Sequence, residues 1–185
     1  MPLSGRQWVD LFPASDSTAD LAGFFHGSVD RFVSALRAAG ATVTIDDTLR
    51  PPERAYLMHF SFRIAREAMD PAIVPAMQGV DVQWVHLDPQ GRPDLLASRA
   101  AAEEMVQGYG VVFRPALTSR HTEGRAIDMT IGWRGNLTIS NARGDRTTIA
   151  SLPRSGENTA LQRVGASYGV RKLASDPPHW SSDGH

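Results

Sequence analysis

Between Leu21 and Ala39 the apolar residues Leu21, Phe25, Val29, Phe32, Val33 and Leu36 recur at helical spacing, and Gly40 supplies a stop. Ala41 to Ile45 (Ala-Thr-Val-Thr-Ile) alternates and is β-branched, so a strand is expected there. It runs into Asp46-Asp47-Thr48-Leu49-Arg50-Pro51-Pro52, whose prolines open a second helix over Glu53 to Glu67. Residues 69–94 are rich in Pro, Gly and Asp and read as a loop, with a short apolar piece from Val80 to Leu87 that holds Trp84 and His86. Asp94 to Tyr109 has the pattern of an amphipathic helix, with Leu95, Ala102, Met105, Val106 and Tyr109 on one side and Gly108 and Gly110 closing it. Arg99 interrupts that stripe and has to extend along its stem to water. Val111 to Phe113 reads as a short strand.

From Ala126 the chain alternates again. Ala126, Asp128 and Thr130 point one way and Ile127, Met129 and Ile131 the other, the period of a half-buried strand with Asp128 on its polar face. Leu137 to Ser140 and Thr147 to Ser151 read as a hairpin around Asn141 to Asp145, expected to join the Ala126 strand in one antiparallel sheet. Asn158 to Tyr168 reads as a last helix stopped by Gly169, followed by a strand from Val170 to Leu173. Residues 1–20, rich in Pro, Ser and Asp, are expected to form an irregular arm, and residues 21–185 a small single α+β domain. In that domain helices lie on one side of a largely antiparallel sheet, and the functional cleft crosses its polar face.

Composition narrows the partners. A 42% apolar content over 185 residues is enough to bury a core. The net charge of -1, without any basic run, argues against nucleic acid and anionic membranes as partners. No apolar run is long enough for a membrane span, and Met1 to Ala14 lacks a signal-peptide pattern. A soluble monomer made in the cytoplasm without a signal peptide is therefore expected. The absence of Cys removes both a disulfide framework and the usual ligands of a structural zinc.

The candidate chemistry is concentrated in Thr118 to Trp133 and in Ser175 to Trp180. His121 precedes the Ala126 strand in a polar loop, and Gly124 can adopt the positive φ that folds this loop back and brings the imidazole over Asp128. His179, fixed by Pro177 and Pro178, offers a third ligand. Two His and one Asp leave a fourth position open, as catalytic zinc sites do. Asp176, three residues before His179, is placed to act as base toward a bound water. The plainer alternatives are a hydrogen-bonded His121–Asp128 pair without metal and a surface turn at His179. His86 reads as an extra ligand or, more simply, a rim residue. His26, His59 and His185 have weaker claims and stay outside the metal set.

These residues carry a family resemblance. Ser119-x-His121-x-x-Gly124-x-Ala126-x-Asp128, followed by Pro178-His179-Trp180 with an acidic residue three positions before its His, resembles the M15-type zinc peptidases. That family comprises D-alanyl-D-alanine carboxypeptidases and dipeptidases and the L-alanyl-D-glutamate endopeptidases of phage lysis systems, and the match is loose over the first half of the chain. The resemblance implies Zn2+ on His121, Asp128 and His179, Asp176 as catalytic base, Arg50 beside the scissile carbonyl, and Ser119 as a contact to the substrate backbone. Arg54 competes with Arg50 for its role, and the plainer reading of Arg50 is an ion pair with Asp46 or Asp47. Trp133 and Trp180 could wall the cleft or simply fill the core.

The function implied is hydrolysis of peptidoglycan stem peptides at L-Ala-D-Glu or D-Ala-containing bonds. Action in the periplasm or cell wall would then follow release by lysis or delivery by a secretion system. The alternatives are a non-catalytic, zinc-containing wall-binding module and a D-alanyl-D-alanine dipeptidase or carboxypeptidase in wall remodelling.

Overall fold

The computed structural model describes residues Met1–His185. In chain order its elements are α1 (Gly23–Ala38), β1 (Thr42–Asp47), α2 (Pro52–Arg66), β2 (His86–Leu87), β3 (Pro93–Asp94), α3 (Leu95–Tyr109), β4 (Ala126–Gly132), β5 (Leu137–Ser140), β6 (Arg146–Ile149), α4 (Thr159–Ser167), β7 (Arg171–Lys172) and β8 (His179–Ser181). The protein is thus α+β with four α-helices, and all paired strands are antiparallel. None of its helices is long and apolar enough to cross a membrane.

The chain gathers into two compact units, one of Met1–Pro13 with Pro51–Ser119 and one of Ala14–Arg50 with Arg120–His185. Each has its own apolar core. The stretch 1–20, expected as an irregular arm, divides between them. Its first part makes a 3-10 turn at Arg6–Trp8 and buries Trp8 and Val9, because the Trp8 indole N–H finds the Leu3 carbonyl at 2.9 Å and its ring joins an apolar cluster.

In the first unit α2 begins on Pro52, where a missing N–H costs nothing, and sends Tyr56, Leu57, Phe60 and Ile64 into that cluster. α3 is capped by Asp94, whose carboxylate accepts the Ala97 N–H at 2.9 Å, and ends on Gly110 at φ +66°. The buried face of α3 runs through Ser98, Ala101, Ala102, Met105 and Val106, whereas Leu95, expected in the stripe, is 47% exposed in the first turn. The strand expected at Val111 to Phe113 does not form. Its backbone has no ladder partner, and Val112 and Phe113 are exposed. Val80, Val82 and Trp84 of the apolar piece are buried here, and the Trp84 indole N–H donates to the Tyr56 hydroxyl at 3.2 Å.

The second unit is built on a four-stranded sheet in the order β1-β4-β8-β7. The expected alternation holds in β4. Ile127, Met129 and Ile131 enter a core shared with Phe25, Val29 and Phe32 of α1 and with Leu161 of α4, while Thr130 is exposed and Asp128 half-buried. The β5–β6 hairpin forms as expected but as a separate two-stranded sheet. β4 instead pairs with β1 on one side and, over Ala126–Asp128, with β8 on the other. Trp133 and Trp180 lie in the core, 8% and 0% exposed, so the core reading of both tryptophans holds.

Trp180 sets a tight constraint on α4. A Cβ added to Gly165 would lie 2.8 Å from the Trp180 ring, 2.9 Å from the Val170 carbonyl oxygen and 3.1 Å from Phe32. Replacing a helical Gly by Ala ordinarily stabilises by about 0.5–1 kcal/mol. Gly165→Ala is expected to do the reverse, costing about 1–3 kcal/mol, because a backbone oxygen cannot yield as a side chain can. Urea unfolding checks the sign, and an unchanged or raised midpoint would contradict this packing.

Candidate metal centre

Asp128 stands directly opposite His179 across the β4–β8 ladder, and Asp47 of β1 stands opposite Asp128 on its other side. The sheet register thus brings one histidine to the carboxylate, while a loop brings the second. In that loop Gly124 adopts φ +65°, its N–H donates to the His121 carbonyl at 3.2 Å, and its own carbonyl accepts the Ala22 N–H at 2.8 Å. The His121 carbonyl also accepts the Arg50 N–H at 3.1 Å. The loop therefore closes as the glycine implied.

The three side chains meet at an almost equilateral triangle. His121 Nε2 lies 3.2 Å from Asp128 Oδ1, His179 Nδ1 lies 3.1 Å from the same oxygen, and the two nitrogens are 3.1 Å apart. Both histidines are buried. His121, Asp128 and His179 form a group that can hold a metal ion. Tetrahedral coordination with bonds of about 2.0–2.1 Å separates ligand atoms by about 3.3 Å, close to the edges of this triangle.

The backbone partners of the two rings point to how their protons are arranged. His121 Nδ1 is 2.8 Å from the Thr48 carbonyl oxygen, and His179 Nε2 is 3.2 Å from the backbone oxygen of His185. A carbonyl oxygen can only accept, so each of these nitrogens carries the hydrogen of the neutral ring. The other nitrogen of each ring then turns a lone pair toward Asp128, which as a carboxylate has only lone pairs to offer. Three acceptors facing one another are tolerated only with a positive charge between them, supplied by protons or by a metal. Such fixing of the imidazole tautomer by a backbone oxygen is the usual outer support of a histidine ligand.

The electrostatics agree. Burial alone would lower the His121 pKa, but the hydrogen bond and charge of Asp128, with help from the Thr48 carbonyl and Asp47, raise it. Burial alone would raise the Asp128 pKa, but the two imidazoles hold it far below the usual carboxylate range.

These shifts give a signed pH dependence. In the metal-free protein the raised His121 pKa adds stability that is complete below about pH 6.5 and is lost as pH rises through the folded value. The lowered Asp128 pKa adds stability present above about pH 3.9 and lost as pH falls through its folded value. Chelated protein is therefore expected to be most stable between about pH 4 and 6.5 and to weaken above, whereas a metal requires deprotonated ligands and stabilises increasingly over that rise. Thermal melts across this range, with chelator and with metal, check it. A metal increment independent of pH would contradict it.

Asp176 lies in the turn that leads into β8. The His179 N–H donates to the Asp176 carbonyl at 3.1 Å, and the Asp176 N–H donates to the Leu173 carbonyl at 3.2 Å. Beneath this turn Lys172, with a side chain only 2% exposed, directs its ammonium to the Leu173 and Asp176 carbonyl oxygens. Burial pushes the Lys172 pKa down. The Asp176 residue is exposed and its carboxylate accepts no hydrogen bond. A groove of about 550 Å³ adjoins Asp128 and is lined by Asp46, Thr130, Ser155, Glu157, Pro177 and Pro178, among others.

Arg50 makes the ion pair of its plainer reading, with Nη2 2.9 Å from Asp47 Oδ2, while Arg50 Nε and Asp47 Oδ1 are buried without partners. Its competitor Arg54 is engaged within the first unit, where its guanidinium donates to the Val9 and Phe12 carbonyls and lies over the Tyr109 ring. Ser119 is half-buried at the end of the first unit. His86 lies 3.0 Å from the Ser4 hydroxyl, His59 bonds the Pro115 carbonyl and His26 pairs with Asp30, and none of the three belongs to the group. The backbone oxygens of Thr48 and His185 escaped the sequence reading, since a backbone acceptor leaves no side-chain signature.

Fold and site thus define an α+β protein with a His-Asp-His group, on one sheet and one loop, able to hold a metal ion. No family model matches the chain, and no curated protein matches it.

Proposed function

We propose that the protein is a zinc-dependent peptidase that hydrolyses peptidoglycan stem peptides at L-Ala-D-Glu or D-Ala-containing bonds, as the resemblance to M15-type peptidases implies. The observation that carries this reading is the convergence of His121, Asp128 and His179 on one point, with an exposed carboxylate, Asp176, three residues before His179. Zinc is preferred because two imidazoles and one carboxylate, without Cys, are the donor set of its catalytic sites. When bound, it supplies a Lewis acid and lowers the pKa of a bound water toward neutrality.

The chain's own residues supply the rest. Asp176 accepts the proton of the attacking water and returns it to the departing amine, so that one carboxyl group serves as base and then as acid. Arg50, anchored by Asp47, stabilises the oxyanion of the scissile carbonyl, where a guanidinium is worth most because the charge develops only in the transition state. Ser119 contacts the substrate backbone. The groove beside Asp128 receives the peptide, and its lining combines the apolar surface of Met129, Ile131, Pro177 and Pro178 with the carboxylates of Asp46 and Glu157. Action in the periplasm or cell wall follows from the substrate.

Mass spectrometry of fragments released from purified peptidoglycan, by zinc-loaded protein and by a chelated sample, tests the reading. Zinc-dependent fragments are expected, and their new termini name the bond. Zinc-loaded protein that releases no fragments would overturn the peptidase reading in favour of a wall-binding module.

A further inference from the structure

His179 presents Nδ1 to the candidate metal centre because Nε2 is occupied by the backbone oxygen of His185. Which nitrogen faces the metal therefore depends on where that oxygen stands. It is held by a turn built on side-chain acceptors. The buried Ser181 hydroxyl accepts the N–H groups of Gly184 at 2.8 Å and His185 at 3.0 Å, and Asp183 Oδ1 accepts the His185 N–H at 3.3 Å. Gly184 takes φ +85°, which lets the turn close.

The other oxygen of Asp183 is gripped by Arg120, through Nε–H at 2.9 Å and Nη2–H at 2.5 Å. The third arm of Arg120, Nη1, reaches Glu123 at 2.7 Å within the loop that carries His121. Arg120 immediately precedes His121 in the chain. The residue beside one histidine ligand thus fastens the turn that orients the other, 58 positions away.

We propose that Arg120 is a positioning residue for the metal ligand His179, acting through Asp183 and the 181–185 turn. The inference rests on the metal reading of the site and not on its catalytic role. Arg120 and Asp183 are each about a third exposed, and ion pairs at such positions add little to folding stability. Their contribution is to geometry, so metal affinity and melting temperature are expected to respond differently.

The test is zinc affinity by competition with a chromophoric chelator, beside the visible spectrum of the cobalt-loaded protein. Arg120→Gln and Asp183→Asn are each expected to weaken zinc binding about 10–100-fold and to alter the cobalt spectrum, with little change in the melting of chelated protein. Arg120→Lys should recover part of the affinity, since an ammonium keeps the charge but lacks the guanidinium fork. The double variant should be no worse than either single one, because both remove the same link. Arg125→Gln, which takes an exposed cation from the same loop, should leave affinity unchanged. Wild-type protein that binds zinc no better than Arg120→Gln and Asp183→Asn, or an equal loss in Arg125→Gln, overturns this inference alone. Wild-type protein that binds no zinc removes the metal reading with it.

Discussion

Zinc is expected to raise the melting temperature of this protein markedly, and His121→Ala to abolish the rise. The ligands come from a loop, from the middle of β4 and from the start of β8, so the unfolded chain holds no preformed site and binding free energy becomes folding free energy. With free zinc about a thousandfold above its dissociation constant, mass action adds about 4 kcal/mol. For a chain of 185 residues that is a shift of about 8–16 °C. His121→Ala also strands the buried Thr48 carbonyl, so the variant starts from a lower stability, and the informative quantity is the difference between zinc-loaded and chelated samples. Asp128→Asn keeps the shape of the site while removing its negative charge and should lose most of the same difference. Equal melting temperatures with and without zinc in the wild-type protein would sink the metal reading.

What the sequence made legible follows from what periodicity can express. The stripe Phe25, Val29, Phe32 and Leu36 and the alternation of Ile127, Met129 and Ile131 describe which face of an element is buried, and both are found in one core. Gly124 was readable because a turn that brings His121 back onto Asp128 demands a positive φ. Pairing is a different matter. Nothing in Leu137 to Ser140 reveals that β4 takes β1 and β8 as its neighbours, and the hairpin stands apart from the sheet it was expected to join. His179 read as part of a proline-fixed turn, yet it opens a strand whose register places it against Asp128.

Composition alone likewise did not separate the two cores, since Trp84 and Trp180 are equally apolar and belong to different units. Arg50 is the instructive intermediate case. The sequence offered both an ion pair and a transition-state role, and the pair with Asp47 is the one the fold forms.

Asp176→Ala is expected to lower kcat/KM on peptidoglycan peptides about 10²–10⁴-fold, the range for a positioned general acid–base group, while zinc remains bound at one equivalent. The structure makes this substitution unusually clean. What the turn needs from Asp176 is its backbone, because the His179 N–H and the Lys172 ammonium both bond its carbonyl oxygen. The carboxylate is exposed and accepts no hydrogen bond, its charge acting only at a distance on Lys172, so its removal should leave His179 in register and the fold intact. Asp176→Glu retains the acid one methylene further out and should recover part of the rate without changing zinc content. Asp176→Asn, which keeps the size but cannot take a proton, should resemble the alanine variant. Fragment release measured alongside metal content distinguishes the alternatives. Unchanged release in Asp176→Ala would remove this residue from the reaction, and loss of zinc would make it a ligand. Loss of turnover with zinc retained is the result expected of a proton-transferring Asp176, and a wall-binding module, with no turnover to lose, cannot give it.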